Sequence, residues 1–213
     1  MRDYTKIAVK QPDLTFFTAD LHFFHEGIIG HCRRPFRDAA EMNETLIRNW
    51  NLAVPGVGNV FVLGDMFYKK GSLSECRKIM EKLNGRKWLI AGNHDLFTRE
   101  EYLDLGFEDA RDYLEPIFGW RRVVLSHYPL LEWNGFYRGA WHLHGHVHGR
   151  RSHFSFRVMD AGVDANNYMP VGWREVERRL EPGMALDEAA MKERGDTARH
   201  RPYSFKLTND KNG

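Results

Sequence analysis

Three short apolar runs, each ending in polar side chains suited to metal binding or proton transfer, constrain the fold of this chain most. The runs cover residues 14–19, 59–63 and 87–91, and each has the length and composition of a buried strand. They end at Asp20-Leu21-His22, at Gly64-Asp65 and at Gly92-Asn93-His94-Asp95. Residues 41–52 and 72–83, between the runs, have the apolar spacing of helices. This alternation predicts a parallel sheet covered by helices.

The polar clusters follow the carboxyl ends of the predicted strands. In a parallel sheet these ends lie at one edge, where ligands bind, so Asp20, Asp65 and Asn93 are expected to meet there. An Asp-x-His turn offers a hard oxygen and an imidazole nitrogen, a pair that suits Mn, Fe, Zn and similar ions. Asp65 has two carboxylate oxygens and can share them between two ions. Gly64 and Gly92 let the backbone turn sharply beside the ligands.

The second half of the chain has a predominantly β pattern. Short strands are predicted at residues 115–118, 120–125, 141–144 and 154–159. Gly119 lies between the first two, which are expected to form a hairpin. His127 and the cluster Gly145-His146-Val147-His148 again follow strand ends, so they are expected at the same site.

The remaining segments set the predicted domain limits. Residues 130–140 are expected to form a loop over the site, and residues 171–180 a last helix. Beyond Pro182-Gly183 the chain is polar and mixed in charge. We therefore predict one domain over residues 1–180 and a polar appendage over residues 181–213.

Composition restricts the classes of partner. The net charge of +2 is smaller than the basic excess expected of a dedicated nucleic-acid binder. Two cysteines, Cys32 and Cys76, are too few for a disulfide framework and favour reduced thiols in the cytoplasm. The N-terminus lacks the apolar stretch of a signal peptide, and no run reaches the length of a membrane span.

The ordered motifs resemble those of the calcineurin-like metallophosphoesterase superfamily. They are Asp20-x-His22, Gly64-Asp65, Gly92-Asn93-His94-Asp95, His127 and Gly145-His146-x-His148. Residues 20–36, with Glu41-Met42-Asn43 and Trp50-Asn51, further resemble the small single-domain bacterial and phage members. The resemblance implies an α+β or α/β fold: a four-layer αββα sandwich of two mixed β-sheets, with the metal site at the carboxyl edge of the strands.

The resemblance also implies a role for each motif residue. Two divalent metal ions are implied, with Mn favoured and Fe, Zn, Ni and Co compatible with the mixed nitrogen and oxygen ligands. Metal one is implied to bind Asp20, His22, Asp65 and His148. Metal two is implied to bind Asp65, Asn93, His127 and His146. His94 matches a histidine that binds no metal but assists phosphoryl transfer, while a hydroxide bridging the ions attacks phosphorus.

One position departs from the protein phosphatases of this superfamily. They carry an aspartate three residues after Gly-Asp, followed by Arg-Gly, whereas this chain has Tyr68, Lys69 and Lys70. The departure argues against protein phosphatase activity and leaves open what supports His94. Asp95 is expected to fix the geometry of its loop.

The sequence indicates the substrate-binding residues less specifically than it indicates the metal ligands. The candidates are His25, Arg33, Arg34 and Arg37, each of which has an ordinary surface or capping role as its alternative. His142 and His144 are expected to act as hydrogen-bonding or packed histidines.

The function expected from the motifs is hydrolysis of a phosphodiester, small or cyclic-nucleotide-like, or of a phosphomonoester. The alternatives are a nuclease and a non-catalytic scaffold of the same fold. The expected partner is a small phosphoester, with nucleic acid less favoured and no membrane. The sequence specifies neither the natural substrate nor the oligomeric state.

Overall fold

A computed structural model describes residues 7–68, 72–150 and 155–193. Lys69 and Lys70 therefore lie outside the described residues, as do most of the predicted appendage and the first residue of the predicted strand 154–159. Within the described part, no helix is both long enough and apolar enough to cross a membrane.

Two mixed β-sheets form the centre of the fold. The first sheet has the order β11-β2-β3-β4-β5, with strands Val171–Gly172, Thr15–Thr18, Asn59–Val62, Arg86–Ile90 and Phe107–Arg111. Its strands β2 to β5 are parallel, and β11 is antiparallel to β2. The second has the order β1-β7-β8-β9-β10, with strands Ala8–Val9, Ile117–Phe118, Arg121–Ser126, Trp141–His144 and Val158–Asp160; β6, Tyr113–Leu114, also pairs with β8.

The sheets pack face to face over an apolar core. Phe17, Phe61 and Ile90 of the first sheet form one buried cluster with Leu125 and Leu143 of the second. Successive residues of a strand point to opposite faces, so Val124, between two core residues, faces outward. There it packs with Trp133 and Ala140.

Helices cover the sandwich. Their bounds are α1 Glu26–Cys32, α2 Ala39–Ala53, α3 Leu73–Met80, α4 Arg99–Asp104, α5 Trp173–Leu180 and α6 Gly183–Glu193. On α2, Met42, Leu46 and Trp50 are fully buried against the first sheet, as the spacing predicted. A capping box of Ser72 and Glu75 begins α3. The four-layer αββα prediction is confirmed.

Several segments differ from their predictions, and three of them differ in ways that have a clear physical reason. The predicted helix 171–180 begins at Trp173, because Val171 and Gly172 instead form β11 against β2. The predicted strand 154–159 is restricted to Val158–Asp160, since Ser155 and Phe156 turn to hydrogen-bond Asp187. The loop at residues 130–140 packs on the outer face of the second sheet through Trp133, whose indole N–H donates to the Ala140 carbonyl at 3.0 Å.

The start of the predicted appendage is helical. Asp187, on α6, accepts hydrogen bonds from the Ser155 hydroxyl at 2.7 Å, the Phe156 N–H at 2.7 Å and the Arg157 guanidinium at 2.5 Å. These bonds attach α6 to the second sheet next to β10. The domain boundary at residue 180 stays a prediction.

Candidate active site

Strand register aligns the polar clusters of the first sheet. Thr18 pairs with Val62, and Val62 pairs with Leu89, so β2, β3 and β4 end at the same level. The residues that follow these ends include Asp20, Asp65 and Asn93, and the three meet at one edge as predicted.

The second sheet reaches the same edge through backbone bonds. Gly145 donates to the carbonyl of His127 at 3.0 Å, which joins the two histidine segments. Ala19 forms a parallel bridge with Gly162, so the end of β2 is connected to the residues after β10. Both sheets therefore contribute side chains to one site.

The predicted ligands lie on unusually sharp turns. Five of the seven have positive φ, a region that costs a non-glycine residue about 1–3 kcal/mol. They are Asp20 (56°), His22 (52°), Asp65 (53°), His146 (71°) and His148 (51°). Such conformations persist where surrounding structure enforces them, and they concentrate at functional sites.

Two glycines allow the backbone to approach the ligands closely. A Cβ atom on Gly64 would lie 2.3 Å from Nδ1 of His127, and Gly64 also has a φ of +91°. A Cβ atom on Gly92 would lie 2.3 Å from Oδ1 of Asp65. Any side chain at either position would displace a predicted ligand.

Asp65 lies at the centre of the site, and its side chain is buried. Its Oδ1 atom accepts the backbone N–H of His94 at 2.8 Å. Its Oδ2 atom lies 3.5 Å from Nε2 of His22 and 3.5 Å from Nε2 of His127. One carboxylate oxygen thus faces an imidazole on each side.

The His22 ring is a buried polar group that forms no hydrogen bond with the described residues. Neither Nδ1 nor Nε2 has a hydrogen-bond partner among the described residues. Burial, and then the charge of Arg34, lower the pKa of His22, so its ring is neutral. A neutral, unpartnered and buried imidazole fits a metal ligand, because a bound ion would satisfy the nitrogen that the protein leaves unpaired.

Asp20 and His127 are also held in fixed positions. Asp20 is fully buried, and its carboxylate accepts the backbone N–H of His146 at 2.9 Å. Burial, and then the nearby Asp160, raise the pKa of Asp20, an effect that a cation would oppose. Nδ1 of His127 lies 2.8 Å from the Leu63 carbonyl, which directs Nε2 toward Oδ1 of Asn93 at 3.1 Å.

Two overlapping groups of these side chains have the spacing of a metal site. Ligand atoms of Asp20, His22 and His148 lie within 4.8 Å of one another, and so do those of Asp20, Asp65 and His127. The groups overlap only in part with the two predicted ligand sets, because the first group lacks Asp65 and the second lacks His146. Asp20 belongs to both groups, although the motif resemblance assigned it to metal one alone.

His94 lies beside the two groups without belonging to either. Its ring centroid is 5.2 Å from that of His22 and 5.8 Å from that of Tyr68. Tyr68, at the position of the missing aspartate, stacks on His25 with centroids 3.7 Å apart. The aromatic pair therefore lines the side of the site next to His94.

Asp95 fixes its loop, as expected. Its carboxylate accepts backbone N–H groups from Asp65 at 2.7 Å, Met66 at 3.1 Å and Gly92 at 2.8 Å. Burial raises the pKa of Asp95 to about 7. These bonds connect the second polar cluster to the third.

The four predicted substrate residues lie in different environments. His25 caps α1, accepting the Ile28 N–H at 3.1 Å, and its ring is 6.2 Å from the His94 ring. Arg33 and Arg37 are exposed, and Arg37 pairs with Asp38. Arg34 departs from the prediction, because its side chain has 0% exposure and is occupied by internal hydrogen bonds.

Sequence reasoning missed Asp164 and Tyr128. Asp164 accepts a hydrogen bond from Nδ1 of His148 at 2.7 Å. Tyr128 is exposed, and its ring centroid lies 4.6 Å from that of His146. The position of Tyr128 directly after His127 was the available signal, whereas Asp164 is remote in sequence from the residues that it contacts.

Comparisons with known proteins bear on the family and the fold of this chain. The family model of calcineurin-like phosphoesterases matches residues 15–181. The chain is 32% identical over 177 residues to the uncharacterized protein MJ1445 of Methanocaldococcus jannaschii, covering 80% of this chain and 93% of that protein. It resembles the crystal structure of AQ665, a protein of unknown function from Aquifex aeolicus, with a TM-score of 0.63, 26% identity, and coverage of 77% of this chain and 97% of that one.

The matched residues contain every polar cluster from Asp20 to His148, and the fold has the two mixed sheets that the motifs imply. Because the family model matches most of the chain, the chain belongs to the calcineurin-like phosphoesterase family.

Proposed function

We propose that this protein is a dinuclear metal-dependent phosphodiesterase acting on a small substrate. The observation that carries the proposal is the position of Asp65, whose Oδ2 lies 3.5 Å from an imidazole nitrogen on each side. A carboxylate between two sets of ligands suits two neighbouring ions better than one. In phosphoesterases, two ions 3.5–4 Å apart act on the attacking and leaving oxygens together.

Seven side chains would hold the ions. His22, Asp20, Asp65 and His148 would hold the first, and Asp65, Asn93, His127 and His146 the second. When bound, divalent ions lower the pKa of a water and neutralise charge on the phosphoryl oxygens. We infer Mn²⁺ as the physiological ion, with Fe, Zn, Ni and Co also compatible with these ligands.

His94 would act on the leaving oxygen. Its backbone N–H is bound to Asp65, which leaves the imidazole to face the site beside His22. A histidine there can donate a proton or a hydrogen bond to the departing group, a contribution of about 10²–10⁴-fold in rate.

A small diester is the proposed substrate class. Tyr68 stands at the position of the missing aspartate and stacks on His25 instead of presenting a charge, which supports a substrate other than a phosphoprotein. The exposed ring of Tyr128 beside His146 and the partly exposed ring of Tyr68 beside His94 offer flat surfaces near the ligands. The net charge of +2 gives little support for a long nucleic-acid track.

A substrate panel tests the proposal. The full chain, reconstituted with Mn²⁺, is assayed on a phosphomonoester, a linear diester, 2′,3′- and 3′,5′-cyclic nucleotides, and oligonucleotides. We expect the highest kcat/KM on a small diester. A higher value on the monoester would contradict the diester preference, preference for oligonucleotides would support a nuclease, and no turnover at all would support a scaffold.

A further inference from the structure

Asp164 lies beside the site but outside the predicted ligand set. It belongs to a short 3-10 turn, Val163–Ala165, and the Val163 N–H donates to the Ala19 carbonyl at 3.0 Å. Its Oδ2 atom is 2.7 Å from Nδ1 of His148, and its side chain is only 7% exposed. This buried carboxylate therefore contacts a predicted metal ligand directly.

Arg34 holds the same carboxylate from the other side. Its Nη2 and Nε atoms donate to Oδ2 and Oδ1 of Asp164 at 2.7 and 2.9 Å. The guanidinium also donates to the carbonyls of Asp20 at 2.7 Å and Leu21 at 3.0 Å. Arg34 thus connects the Asp-x-His turn to Asp164, and Asp164 connects it to His148.

We propose that Asp164, held by Arg34, is a positioning residue that orients His148 for metal binding. Because Asp164 accepts a hydrogen bond from Nδ1, it favours the tautomer with the proton on Nδ1 and leaves the lone pair of Nε2 for an ion. The His148 ring also stacks on His22 at 5.4 Å, which fixes its plane. The inference rests on the proposed function only in taking His148 as a metal ligand.

A third metal site is the competing explanation for the same cluster. Ligand atoms of Cys32, His148 and Asp164 lie within 4.8 Å of one another. However, Arg34 pairs with Asp164, and Nη2 of Arg150 lies 3.5 Å from Sγ of Cys32. A cation here would face two guanidinium groups and disrupt a buried bidentate ion pair. The charges therefore favour a positioning role.

The substitution Asp164→Asn tests the proposal, because it keeps the side-chain volume and removes the charge. Mn²⁺ affinity of the full chain is measured by isothermal titration calorimetry, and we expect it to fall about 10–100-fold at one site. Asp187→Asn is the matched control, since Asp187 forms a comparable buried pair with Arg157 at 2.5 Å. The control should lose stability while keeping its Mn²⁺ affinity.

A second measurement does not require a variant that folds well. Long-range ¹H–¹⁵N correlation spectra of the metal-free protein report the tautomer of each histidine, with the His148 signals identified by their loss in His148→Gln. We expect the Nδ1-protonated form. An Nε2-protonated ring, or unchanged Mn²⁺ affinity in folded Asp164→Asn, would overturn the proposal.

The two proposals can fail separately. If wild type binds Mn²⁺, Asp164→Asn weakens that binding and no phosphoester is hydrolysed, the proposed function fails and the positioning role stands. If wild type hydrolyses phosphoesters and Asp164→Asn retains full affinity, the positioning role fails alone. If wild type binds no Mn²⁺, the positioning role is overturned as well.

Discussion

Oδ2 of Asp65 lies 3.5 Å from Nε2 of His22. The same oxygen lies at the same distance from Nε2 of His127, while Oδ1 is held by the His94 N–H. The Oδ1 atom of this carboxylate is therefore held by a backbone hydrogen bond, while its Oδ2 atom faces both His22 and His127. The proposal that Asp65 binds both ions rests on this arrangement.

Replacing Asp65 by asparagine should therefore weaken both metal sites. The neutral amide cannot bridge two cations, so we expect metal content to fall from about two ions per chain to below one, and activity to fall at least about 100-fold. Inductively coupled plasma mass spectrometry gives the content. Asp104→Asn, which removes an exposed partner of Arg77, is the control and should retain both ions. Full metal content in the Asp65 variant would refute the bridging role.

His94→Ala should separate catalysis from metal binding. The imidazole belongs to neither metal-spaced group, and the backbone N–H that binds Asp65 is kept. We expect kcat to fall about 10²–10⁴-fold with unchanged metal content. Wild-type turnover in this variant would exclude the assigned role.

Gly64→Ala should displace His127, and Gly106→Ala provides a matched comparison. Both glycines have positive φ, +91° and +100°, so both variants should lose about 1–2 kcal/mol of stability through backbone strain. Only at Gly64 would the new Cβ meet a ligand, at 2.3 Å, whereas nothing lies within 4 Å at Gly106. Metal affinity should therefore fall only in Gly64→Ala. Equal metal affinities in the two variants would contradict the prediction, because they would mean that the new Cβ atom at position 64 does not displace His127.

His25→Ala should raise KM for the substrate with little change in metal content. The substitution removes the ring that stacks on Tyr68 at 3.7 Å beside His94. Arg37→Ala is the comparison, because Arg37 is exposed and pairs with Asp38 away from these rings. Steady-state kinetics on the best substrate of the panel should show a larger KM change for His25→Ala. A larger change in KM for Arg37→Ala than for His25→Ala would contradict the placement of His25 next to the substrate.

Ionisation of the Cys76 thiol should lower the free energy of unfolding of the protein at alkaline pH. It is fully buried, and burial raises the pKa of its thiol from 9.0 to about 12. The stabilisation from the neutral thiol is complete below about pH 9 and is lost as the pH rises toward 12. The free energy of unfolding, measured with urea at about pH 8 and about pH 11, should fall less between the two pH values in Cys76→Ala than in wild type. Identical losses would contradict this expectation.

Local patterns were sufficient for much of the fold. The three apolar runs became β2, β3 and β4, because buried parallel strands need no alternation and end where the polar clusters begin. The Ser72–Glu75 capping box is likewise a local feature, because it joins residues three positions apart. The segment Val171–Gly172 was assigned wrongly, since its strand state depends on pairing with β2, which is distant in sequence.

The order of the polar clusters and the alternation of strands and helices are legible in the sequence, and they are enough to expect a metal site at one sheet edge. These follow from periodicity and spacing, which are local. The burial of Arg34, which removes it from the candidates for substrate binding, and the contact of Asp164 with His148 across 16 residues emerge only from the folded chain. Such contacts depend on how two sheets pack, and no local pattern encodes which distant charge a buried guanidinium will meet.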